Sequence, residues 1–144
     1  MERNKLLRPI VYLMVFLFLT DALAQKFYWY YSIWWFDMLM HFWGGFWVGI
    51  FFIWFFSAVR LPFWRWPIQD LNRRTAWQAF LFVFFIGIVW EAGEFLTKNY
   101  IGLDPFNLLD TISDVFLDLA GGAAALFYCW RKTMPRDFYK VESN

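Results

Sequence analysis

The chain is expected to be an all-α polytopic membrane protein, a single four-helix bundle over residues 1–144 with both termini on the cytoplasmic side. Three observations carry that expectation. Its 144 residues are 61% hydrophobic and 26% aromatic, too apolar for a water-soluble domain and too few for a second bundle. Four apolar runs, 6–24, 37–59, 76–96 and 110–130, each approach the ~20 residues that a helix needs to cross a bilayer. The basic residues, finally, fall almost entirely at one set of span ends.

Taken in order, Arg3, Lys5 and Arg8 precede the first run; Arg60, Arg65, Arg73 and Arg74 separate the second from the third; Arg131, Lys132, Arg136 and Lys140 follow the fourth. Only Lys26 and Lys98 remain for the other side. Each span is thus oriented independently by the bias of Lys and Arg towards the cytoplasm. Aromatic blocks at 27–36 and 63–66 read as the two interfacial belts. Pro62, Pro67 and Asn72 end the second helix and separate it from the third. On the outer side, Asp104 and Pro105 suit the N-cap and first position of a short helix leading to Asp110.

A rival reading treats the first run as a secretory signal, since Ala22, Leu23 and Ala24 stand before Gln25 as a small-residue cleavage site would. Asp21 abuts that site and argues against it. Either outcome leaves the later helices, and the polar residues on them, on the same side of the membrane.

Those polar residues are the unexpected feature. Asp37, His41, Glu91, Glu94, Asp110, Asp114 and Asp118 lie inside or at the edge of segments apolar enough to span lipid, where ionisable groups are costly and mark function by default. Counted from the cytoplasmic arginines at ~1.5 Å per residue, His41, Glu91 and Asp114 all come out ~25–28 Å deep, with Asp37, Glu94 and Asp110 further out and Asp118 further in. Facing agrees with depth: Asp37 and His41 are i, i+4, Glu91 and Glu94 are i, i+3, and Asp110, Asp114 and Asp118 form an i, i+4 ladder, so each set occupies one helical stripe. Gly44, Gly45, Gly49, Gly87, Gly121, Gly122 and Ala125 lie on or beside these stripes and permit close helix approach.

Only Lys98, one turn after Glu94, is placed to neutralise any of these acids, so their repulsion must be relieved by protons or a bound cation. Carboxylates with one imidazole suit Mg²⁺, Mn²⁺, Ca²⁺ or Zn²⁺. The expected metal ligands are His41, Glu91, Asp110 and Asp114, with Glu94 and Asp118 as candidate catalytic groups and Asp37 and Lys98 completing the polar cluster. The histidine-rich, serine-nucleophile and phosphate-loop motifs of familiar enzymes are missing. Ser113 lies off the ladder and is left out of the site. Cys129, the single cysteine, excludes an intrachain disulfide and reads as a small buried thiol. No basic stripe on a soluble surface points to nucleic acid.

The ordered set Asp37-x-x-x-His41-Phe-x-x-Gly45, Glu91-x-x-Glu94-Phe and Asp110-Thr-x-x-Asp114, followed by Gly121, Gly122 and Ala123, resembles the YjdF-like family of bacterial inner-membrane proteins. A weaker likeness runs to VanZ-like proteins. The resemblance implies an envelope protein of the inner membrane, with His41, Glu91, Glu94, Asp110 and Asp114 at the matching positions.

Three functions are compatible with this sequence. The first is a metal-dependent membrane hydrolase or transferase acting on a lipid-linked or envelope substrate, among membrane lipids as its immediate surroundings. The second is proton or cation binding and transport; it is weakened because the spans offer no ionisable group inward of Asp118 to complete a path. The third is a non-catalytic structural or partner-binding envelope protein, whose polar residues join helices by hydrogen bonds, with or without a structural ion among them.

Overall fold

The computed structural model describes residues 4–58, 73–101 and 107–133, with side chains for 6–56, 73–97 and 107–131. Helices α1 (Asn4–Phe27), α2 (Trp29–Ser32), α3 (Phe36–Ala58), α4 (Arg73–Ile101) and α5 (Leu108–Thr133) account for nearly all of them. Among the described residues there is no strand. The four long helices each carry a stretch apolar and long enough to cross a membrane: Leu6–Phe27, Phe36–Phe56, Arg73–Thr97 and Leu108–Arg131. The all-helical, four-span architecture read from hydrophobic runs is therefore the one observed. The prolines of the loop between α3 and α4, and the turn at Asp104 and Pro105, lie outside the described residues.

Between α1 and α3 the aromatic block forms the single-turn α2. Tyr28 ends α1 in a left-handed conformation (φ 59°), unusual for a residue with a Cβ. Its carbonyl accepts hydrogen bonds from the Tyr31 and Ser32 amides and the Ser32 hydroxyl. At the start of α5, Asn107 is the N-cap: its Oδ1 accepts the Leu109 N–H at 3.2 Å, supplying one of the acceptors that a helix start lacks.

Helix α5 is packed chiefly against α3, and the sequence explains how closely. A methyl group added at Gly45 would strike the backbone of Asp118, and one at Gly121 would strike the Phe42 carbonyl. One turn further along α3, a Cβ on Gly49 would lie 2.8 Å from that of Ala125. The backbones thus touch without intervening side chains, the device by which helices associate in a medium that gives no hydrophobic drive between them. The next residue of α5, Gly122, packs under Val83 of α4, so adjacent glycines serve two partners.

Burial follows helical stripes: Thr75, Ala79, Val83, Gly87 and Glu91 on α4, and Asp114, Asp118, Gly121, Gly122, Ala125 and Cys129 on α5. An i, i+4 (or i+3) spacing keeps these residues on one face. The apolar core, centred on Ile50, Phe52, Ile53 and Ala125, fills the end of the bundle away from the polar residues. Large apolar side chains such as Phe18, Leu81, Phe85 and Phe116 face outward, as lipid-facing surfaces require.

Helix α1 is attached differently. Leu6, Ile10 and Ala24 are buried, whereas none of 11–23 is. The Trp47 indole N–H donates to the Ile10 carbonyl at 3.0 Å, and Leu6 and Ile10 join the core cluster. Held near its two ends, α1 stands off from the bundle in between.

Candidate metal centre

His41 is 6% exposed and is the hub of the polar cluster. Its Nε2 lies 3.7 Å from Asp37 Oδ1, 3.8 Å from Glu91 Oε1 and 4.0 Å from Asp114 Oδ2. On the other edge of the ring, Nδ1 lies 3.5 Å from Asp118 Oδ1. Three helices therefore contribute, as the depth count required: α3 gives Asp37 and His41, α4 gives Glu91, and α5 gives Asp114 and Asp118.

The gaps around Nε2 exceed the ~2.7–3.2 Å of a hydrogen bond. They match instead the ~3–4 Å between two donors that each sit ~2.0–2.6 Å from one ion. One donor atom each from Asp37, His41 and Asp114 falls within 4.8 Å of the others. The donor set, an imidazole nitrogen with carboxylate oxygens, fits a hard or borderline divalent cation.

Asp118 occupies a distinct place. Its Oδ2 is held over Gly87, where an added Cβ would come within 2.6 Å of it, and its backbone presses on Gly45. From there its carboxylate faces the ring nitrogen turned away from the other acids. A carboxylate so placed fixes the tautomer and orientation of a ligating histidine.

The remaining sequence candidates are arranged around this hub. Glu94 is half-buried and lines a cavity next to the cluster. Asp110, expected among the ligands, is exposed at the first turn of α5, and Asp37 stands beside the imidazole instead. The difference is position along the helix: Asp110 stands in the first turn of α5, where residues 107–110 are all exposed, whereas Asp114 and Asp118 lie one and two turns further into the bundle and are buried. The Lys98 side chain lies outside the described residues. Ser113 donates its hydroxyl to the Asp110 carbonyl at 2.8 Å, a bond within its own helix.

Beside the cluster lies a cavity of about 390 Å³ between α1, α3 and α4, with Asp118 of α5 at its floor. It brings in two residues that the sequence reading leaves out of the site. Asp21 of α1 accepts the Tyr30 hydroxyl at 2.7 Å and the Gln25 amide at 2.8 Å, and both Asp21 and Tyr30 line the cavity. Burial, then the hydrogen bond to Asp21, pushes the Tyr30 phenol well above its usual range, and the charges of Asp21, Asp37 and Glu94 add to the effect. The phenol is accordingly a fixed donor.

A family model described as "Predicted membrane protein (DUF2238)" matches residues 1–134. The chain belongs to that family. An "Uncharacterized protein" of Thermotoga maritima is 30% identical over 149 residues, covering 99% of this chain and 69% of the relative. No solved structure matches. Family membership and the four apolar helices together identify an integral membrane protein, and the His/Asp/Glu cluster lies within its helical bundle.

Proposed function

We propose that this protein binds a divalent metal ion between α3, α4 and α5 and uses it as a membrane hydrolase or transferase acting on a lipid-linked or envelope substrate. The observation that carries the reading is the approach of Asp37, His41 and Asp114 donor atoms to within 4.8 Å of one another, on two helices pressed together at Gly45 and Gly121. Glu91, 3.8 Å from the same imidazole nitrogen, is the further ligand.

A divalent ion at this place supplies Lewis acidity and lowers the pKa of a water molecule. The protein's own groups do the rest. Asp118 orients His41 from behind, and Glu94, on the cavity wall one turn outward of Glu91, accepts the proton. The cavity favours an enzyme over a purely structural ion, because it gives a second molecule access to the cluster. In this reading the site faces the exterior of a bacterial inner membrane with both termini in the cytoplasm, as the distribution of basic residues implies. The likeness to YjdF-like proteins rests on the same polar residues.

Metal analysis of the purified protein tests the proposal. Stoichiometric divalent metal in the wild type, lost in His41→Ala and Asp114→Ala and retained in Glu94→Gln, is the expected pattern. Wild-type protein that takes up no divalent ion would overturn it.

A further inference from the structure

The cavity beside the cluster has a shape and a charge that no metal site requires. α3 backs it, α1 and α4 flank it, and among the described residues α1 and α4 do not pack against each other. The gap between these two helices is a way into the cavity from the side of the bundle. Phe18 of α1 and Trp90 of α4 line it while 71% and 61% exposed, which puts an aromatic lip on each side of the opening. Leu17, Val48, Val83 and Ile86 provide apolar walls. At about 390 Å³ it stands at the small end of the ~300–1,000 Å³ of ligand sites, suited to one alkyl chain rather than two.

The polar part of the lining is one-sided. Asp21, Asp37, Glu94 and Asp118 contribute carboxylates, Tyr30 a hydroxyl and His41 its ring, and no Lys or Arg is among the described lining residues. Even with a divalent ion beside Asp37, Glu91 and Asp114, carboxylates outnumber cationic groups among the described lining residues. Asp21 is held by two donors, yet a carboxylate offers about four lone-pair positions, so it retains capacity for another. The aromatic rings of Tyr30 and Trp90 add faces that attract cations.

We infer that this cavity binds a single-chain amphiphile carrying a protonated amine, admitted laterally between α1 and α4, with the amine directed at Asp21. The inference narrows the substrate class of the metal-dependent reading and rests on it for the reaction, whereas the binding itself is measured separately.

Gly44 provides the test. It lines the cavity, and a Cβ added there meets nothing within 4 Å, so a larger side chain starts in open space and takes up cavity volume. The full chain in phosphatidylcholine nanodiscs is photolabelled with a diazirine-bearing dodecylamine, the labelled peptides are mapped, and unlabelled dodecylamine, dodecyl phosphate and dodecyl glucoside compete at matched bilayer fractions. The label should fall on α1 and α4 near Phe18 and Trp90. Dodecylamine should displace it at a bilayer fraction about tenfold or more below that of either competitor, since an anionic group facing acids is penalised. Gly44→Leu should abolish labelling while helicity and metal content stay unchanged, and Asp21→Asn should weaken amine competition. Labelling that survives in Gly44→Leu, or displacement by the phosphate or the glucoside as effective as by the amine, would overturn the inference. Metal content is read on the same samples: labelling as expected without any metal would sink the catalytic reading alone.

Discussion

Gly44 and Gly45 are neighbours in sequence, yet a methyl group added at the first meets open space and one added at the second meets the Asp118 backbone. Helix α3 turns one face to α5, where backbones touch, and another to α1, where a cavity lies between the helices. The same residue type thus makes a seam on one side and a void on the other. The seam fixes the positions of His41, Asp114 and Asp118 with the rigidity that a coordination site needs. The void leaves room for a second molecule beside them.

The largest effect should come from forcing the seam apart. Gly121→Val forces a branched side chain against the Phe42 carbonyl, which backbone cannot yield cheaply. Overpacking costs ~1–3 kcal/mol in ordinary cores, and this site should reach or exceed the top of that range, seen as loss of monodisperse protein or a markedly lowered thermal midpoint. A midpoint within a few degrees of wild type would mean that α3 and α5 are not in backbone contact.

Next comes the support behind the imidazole. Gly87→Ala brings a methyl group against Asp118 Oδ2, a movable side chain rather than backbone, so the bundle should survive while the Asp118–His41 alignment is lost. Removing such an orienting partner typically weakens metal binding ~10–100-fold. Competition titration against a chelator measures it, and Asp118→Asn should fall in the same range. Unchanged affinity in both variants would remove Asp118 from the site.

A smaller effect is expected where α1 is tied back. Tyr30→Phe removes the hydrogen bond to Asp21 and should cost ~0.6 kcal/mol, the average for such contacts between membrane helices. The sign of its pH dependence follows from the phenol's raised pKa. The folded chain holds this proton to higher pH than the unfolded one, so the contribution is complete below pH ~10, the value for a free tyrosine, and shrinks as pH rises beyond it. Thermal midpoints of wild type and Tyr30→Phe should therefore differ by a constant amount through neutral pH and converge in strong alkali. Gly44→Ala completes the series with a change under ~0.5 kcal/mol; a large loss there would mean that the cavity is filled by protein.

Much of this was legible in the sequence because the bilayer imposes simple geometry. Spans follow from apolar length, and a constant rise per residue brings His41, Glu91 and Asp114 to one depth before any fold is known. That Asp110 is exposed in the first turn of α5 does not follow from an i, i+4 ladder, which gives a shared stripe but not how far along the helix the neighbouring helices cover it. Asp21 was weighed only against a cleavage site, although counting from Arg8 places it ~20 Å in, within reach of the same layer. The cavity was not legible: it depends on α1 being held at Leu6, Ile10 and Ala24 and standing off between them, a matter of packing rather than of pattern. Nor could the sequence separate Gly44 from Gly45, since both sit about one turn from His41 and differ only in which helix they face.

The central claim is that one imidazole and the acids of three helices converge on a single ion. X-ray absorption spectroscopy of the purified, Zn²⁺- or Mn²⁺-loaded protein tests it most directly. The expected spectrum contains the outer-shell scattering of one imidazole together with a first shell otherwise of oxygen, and the imidazole signature disappears in His41→Gln. A wild-type spectrum of oxygen alone, or one that His41→Gln leaves unchanged, would contradict the account.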